Sequence, residues 1–166
     1  MRTLALTAAA ALTLAPAAIA APLPPGSVTV TIGAELQEKA VKTYGVRDVQ
    51  RLAVELQRDV ERELARTGGL GEGARVELTL VDAKPNRPTF KQLSATPGLS
   101  FQSFSVGGAT IEGRIVAADG AVTPVGYSWY ESDIRQAAHH GTWTDAEWTI
   151  DRFASRLVRG QAVAQR

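Results

Sequence analysis

The sequence contains no cysteine. That excludes disulfides, thiol nucleophiles and dithiol redox chemistry, so stability has to come from packing. It also has no charge surplus, with 18 Lys and Arg against 17 Asp and Glu. Nucleic acids and anionic membranes select a basic excess, so neither is expected as the main partner. Long apolar runs are missing as well. The run at residues 4–15 falls short of the roughly 20 residues that a spanning helix needs. Catalytic and cofactor signatures are absent too: there is no G-x-S-x-G elbow and no H-E-x-x-H. Gly68, Gly69, Gly71 and Gly73 crowd together after a helix and not between strand and helix, so they read as a flexible connection. No cofactor is expected.

What is present begins with a leader. Arg2 is followed by the Ala/Leu-rich run, a breaking Pro16 and the small residues Ala18 and Ala20. This is the pattern of a secretory signal peptide over residues 1–20, with cleavage expected between Ala20 and Ala21. Residues 21–26 then form an extended tail, 27–160 one domain and 161–166 a C-terminal tail. Without Arg2 the basic residues fall to 17, equal to the acidic ones. No integral membrane segment is expected after cleavage, and the expected location is periplasmic or secreted.

Hydrophobic period supplies the elements. Val28, Val30 and Ile32 alternate with polar residues, which predicts a half-buried strand. Residues 34–43 fit a short helix broken at Tyr44-Gly45. Over 46–66, Val49, Leu52, Ala53, Leu56, Val60 and Leu64 line one helical face, and Thr67-Gly68-Gly69 closes it. Residues 74–83 are a second strand, and a third runs from about Ser103 to Ala117 with a bulge or bend expected at Gly107-Gly108. Asp119-Gly120 predicts a two-residue hairpin turn. The fourth strand, 122–130, carries Pro124 and is therefore expected either at an edge or to pair properly only after that residue. A helical turn is expected around Ile134. In the last helix Thr144 and Glu147 suggest a capping box, and Trp143 and Trp148 a hydrophobic staple. Ile150, Phe153, Ala154, Leu157 and Val158 supply its buried stripe. The order β-α-β-β-β-α predicts an α+β two-layer sandwich, with two main helices on one face of a four-stranded mixed sheet.

Candidate sites are few. Residues 85–101 have no period and contain Pro85, Pro88 and Pro97. Irregular segments longer than about 12–15 residues are uncommon in compact domains unless functional or mobile. Lys84, Arg87 and Lys91 make this one basic, while Phe90, Leu93, Leu99 and Phe101 give it apolar anchors. It reads either as a docking element or as cover for a core edge. Eight of the ten aromatics fall from Phe101 onward. Tyr127, Trp129, Trp148 and Phe153 match core parity, and Tyr130 has outer-face parity and joins the candidate binding residues. His139 and His140 lie near Asp145 and Glu147, which admits a weak metal site, though neighbouring histidines point apart. Glu112, Glu131, Asp133 and Asp151 are carboxylates available for hydrolysis, without a spacing that selects a pair.

The stretch GATIEGRIVAADGAVTPV followed by TWTDAEWTIDRFASRL resembles the strand-turn-strand and terminal helix of small exported proteobacterial proteins of unknown function, many of them lipoproteins, over residues 103–159. The lipid-bearing cysteine of the lipoprotein members is missing here. The resemblance implies export and no particular active residues. The expected function is non-catalytic binding of a protein or cell-envelope component. A metal- or carboxylate-dependent hydrolase acting on envelope material is the alternative, and a structural subunit a third reading.

Overall fold

Alternating strands and two apolar helical stripes have one economical arrangement, and the chain adopts it. A computed structural model describes residues 27–71 and 73–162; the leader and the tail at 21–26 lie outside the described residues. The elements are β1 (Val28–Ile32), α1 (Ala34–Lys39) running into a π-helical turn (Ala40–Tyr44), α2 (Val46–Thr67), β2 (Arg75–Lys84), α3 (Phe90–Ala95), β3 (Gly108–Val116), β4 (Val122–Tyr130), α4 (Ile134–Ala137) and α5 (Thr144–Val158). The sheet order is β1-β2-β3-β4. β1 and β2 pair in parallel, as a strand-helix-strand unit allows, and the remaining pairs are antiparallel. The result is the expected α+β sandwich. β4 is an edge, as Pro124 allows.

The core lies between the sheet and the two long helices. Leu52, Leu56 and Val60 of α2 and Ile150, Phe153 and Leu157 of α5 are buried with Val76, Leu78, Leu80, Ile111 and Val125. Each such side chain contributes about 1.5–3 kcal/mol by leaving water. Gly68 adopts a left-handed φ of 87° and ends α2, because the chain must reverse there. Among the described residues no helix is long and apolar enough to cross a membrane. Packing continues past the expected domain end: Ala162 is buried and accepts a hydrogen bond from Gly126 N (2.8 Å), covering part of the β4 edge.

Several local details differ from the sequence reading. The register shift falls in β2 between Leu80 and Asp82, not at Gly107-Gly108. Those glycines are required by close approach instead. A Cβ on Gly107 would lie 2.7 Å from Lys84 O, and one on Gly108 2.3 Å from Trp129 O. The hairpin is wider than two residues: Ala117 N bonds Ala121 O at 2.9 Å, with Gly120 left-handed inside the loop. In α5 the N-cap is Trp143 without a side-chain cap, and Thr144 Oγ1 accepts from Gly141 N (2.9 Å). The staple is not made either. Trp143 is buried edge-on against Tyr44 (5.7 Å), whereas Trp148 is 42% exposed and meets the ring of His140.

The seam between α2 and α5 gathers carboxylates. Burial raises the Glu55 carboxyl, and Glu147 adds to the rise against Arg51. Burial likewise raises Asp59, which Arg62 opposes and Asp151 reinforces. A folded pKa above the unfolded value means that the native state binds protons more readily, so stability falls as pH rises through that range. Asp59→Asn is therefore expected to raise the thermal midpoint at pH 7. The gain should shrink as pH falls through the carboxylate range, a comparison that melting curves at several pH values supply directly. A gain independent of pH would mean that burial of the charge is not its source.

Candidate functional site

The candidate site is built where β2 leaves the sheet and β3 enters it. The connecting segment is not structureless. Thr89 Oγ1 accepts from Gln92 N and the Gln92 side chain accepts from Thr89 N (3.0 Å), a reciprocal capping box that starts α3. The T-F-K-Q spacing of that box is the sequence signal that the helix offered. Pro85, Asn86, Pro88 and Thr89 are buried beneath it.

Two residues fasten the segment to the α4–α5 connection. Asn86 is fully buried. Its Nδ2 donates to Asp145 Oδ2, its Oδ1 accepts from Asp145 N (2.9 Å), and its backbone N donates to Thr142 O (2.8 Å). Ser105 N donates to Asn86 O (2.7 Å), which holds residues 103–107 out of β3 and explains why that strand begins later than its composition suggests. Asp145 is also fully buried and accepts from Gly107 N (2.9 Å). His140 Nδ1 lies 2.9 Å from Asp145 Oδ1, an ion pair when the imidazole is protonated, although the two atoms lack hydrogen-bond alignment. This buried node was not identified from the sequence, where Asp145 entered only as a neighbour of His139 and His140 in a weak metal site.

Arg87 is the second fastening. Its guanidinium donates to three carbonyls: Nε to His140 O (2.6 Å), Nη2 to Ala138 O (2.7 Å) and Nη1 to Phe101 O (2.7 Å). It also lies over the Phe104 ring, 5.9 Å from the centroid. A planar fork of donors is suited to such a task. Arg87 thus holds the surface together, and its donors are directed inward to the chain.

The other candidate residues fall around this platform. Lys84 and Lys91 are exposed. Phe90 is 75% exposed and Phe101 48%, with ring centroids 5.5 Å apart edge to face. Phe104 is 44% exposed. Beside them a cavity of about 270 Å³ opens between Tyr44, Lys84, Pro88, Leu99 and Phe104. Tyr130 belongs to the neighbouring outer face of the sheet, as its parity requires. Its hydroxyl donates to Asp82 Oδ2 (2.8 Å), and Asp82 Oδ1 accepts from Lys39 (2.7 Å). Burial, with the Asp82 charge, pushes the Tyr130 phenol up to about 12. The hydrogen bond to Asp82 chiefly raises Lys39, and Lys39 and Tyr130 hold Asp82 low against its own burial.

The wider concavity, about 990 Å³, is the uncovered sheet face. Register sets its polar rows: Thr31, Thr79 and Glu112 lie across from one another, and beside them Thr29, Glu77 and Arg114. Much of this row is already paired, since Glu77 accepts from Arg75 and Arg114 (both 2.8 Å). It is open and polar, whereas the 84–104 surface exposes large apolar groups on a fastened backbone.

The hydrolytic candidates do not converge. His139 is exposed while His140 turns inward onto Asp145. Glu112 lies on the open face of β3, and Asp151 is on α5 across the sheet. Asp133 pairs with Arg135 (2.7 Å), and Glu131 accepts from Ser132 N and Asp133 N. Among the described residues no group of three or more His, Asp or Glu side chains is placed to hold a metal ion. Comparison with protein-family models and with curated proteins gives no match.

Proposed function

We propose that this protein is an exported, non-catalytic binding protein that docks a protein or other cell-envelope component through residues 84–104. One observation carries the reading: two phenylalanine rings, Phe90 and Phe101, stand in solvent against each other on a segment fastened by Arg87, Asn86 and a capping box. Exposing a large apolar group favours association, and a backbone already held in place loses little entropy when it binds. Aromatic anchors of this kind carry much of the energy of protein interfaces. Export, to the periplasm or the exterior, is supported by the leader pattern at residues 1–20.

The reading is tested by capture from an envelope extract, comparing the wild type with Phe90→Ser/Phe101→Ser. The rings are exposed, so the variant is expected to keep its thermal midpoint while losing bound partner about tenfold or more, the scale of an interface anchor. The same partners in the same amounts would remove this surface as the docking site.

A further inference from the structure

The cavity beside the aromatic pair narrows the class of partner. Pockets that hold whole small molecules begin near roughly 300 Å³, so a volume of about 270 Å³ suits one side chain of a longer ligand. Its walls are apolar where Tyr44, Pro85, Pro88, Leu99 and Phe104 meet. Beneath them Asn86 is fully buried and its hydrogen bonds are made within the chain, so nothing has to rearrange for a guest to enter.

The charged side chains that line the cavity, Lys84 and Arg87, are of one sign, and Arg87 is occupied with carbonyls of the chain. Lys84 lines the cavity, and Lys91 lies beside Gly45, next to Tyr44. Neither lysine has a carboxylate within 4.0 Å among the described residues, although eight other Lys and Arg side chains do. Asp48 lies beside the same glycine without pairing to Lys91. Two lysines are fewer than the 4–8 basic residues that hold a protein to anionic lipid. A concave seat for a single side chain is the geometry of peptide recognition.

We infer that this cavity binds an acidic peptide segment of a partner protein. One apolar side chain sits between Tyr44 and Phe104, and flanking carboxylates meet Lys84 and Lys91. The inference rests on the docking role proposed above for residues 84–104.

The probe is the peptide acetyl-Asp-Glu-Leu-Glu-Asp-amide titrated into the whole protein and followed by amide chemical shifts. Saturable shifts confined to Tyr44 and residues 84–104 are expected. Binding should weaken tenfold or more when the central Leu is replaced by Ala, when the acids are replaced by Lys, or in Lys84→Ala/Lys91→Ala protein with an unchanged thermal midpoint. Absence of binding, equal binding of the Lys-flanked peptide, or a response to phosphatidylglycerol vesicles without one to the peptide each overturns the inference. If capture of envelope partners depends on Phe90 and Phe101 while the acidic peptide fails to bind, the inference falls and the docking surface stands.

Discussion

Asp145→Ala is expected to lower the stability of the fold by about 3–5 kcal/mol, the scale of removing one partner from a buried charged network. The carboxylate is fully buried and serves groups from three parts of the chain: the Asn86 amide, the Gly107 N–H and the imidazole of His140. Alanine leaves the Gly107 N–H without its acceptor and the Asn86 amide with only its longer bond to Ser105 O (3.3 Å), and a buried donor without a partner costs about 1–3 kcal/mol by itself. Asn86→Ala strands the same carboxylate from the other side. The two losses should therefore not add, since the second substitution removes a partner already lost. Chemical denaturation of both single variants and the double variant measures this. A loss below about 1 kcal/mol for Asp145→Ala would mean that the node is decoration and not a fastening.

Arg87→Ala is the second large effect, about 2–4 kcal/mol. Hydrogen bonds from a charged donor contribute about 1.5–3 kcal/mol each when buried. Three are made here, and partial exposure of Arg87 discounts them. Arg87→Lys should recover only part of the loss, because an ammonium on a flexible stem cannot reach three carbonyls held in a fork. Hydrogen exchange gives a second readout. Protection at the amides of Asn86 and Ser105 should fall in Arg87→Ala, while the core of α2 keeps its order. Together with the unchanged stability expected of the phenylalanine variant, this separates the residues that hold the surface from those that present it.

Much of the fold was legible because its causes are local. Val28, Val30 and Ile32 alternate, and Val49 through Leu64 recur at helical spacing, so each element's buried side follows from near neighbours alone. The parallel first pair, the antiparallel meander and the edge position of β4 follow from connection lengths and from Pro124. α3 was also local, written in the Thr89–Gln92 spacing, yet six residues are too few to show a helical period. Trp148 shows the limit of parity. It was expected in the core, but on α5 it stands on the side away from Ile150, Phe153 and Leu157, and it lies exposed against His140.

The amino-acid sequence by itself determined the strands, the helical stripes, the chain reversal at Gly68 and the layered arrangement that buries them. Tertiary structure alone decided the fastening of residues 84–104. Asn86 and Asp145 meet across 59 positions, and Arg87 binds carbonyls 51 and 53 residues away. Every residue has a carbonyl, so nothing in the identities of Ala138 or His140 marks them as its acceptors. Only the folded backbone brings those oxygens under one guanidinium.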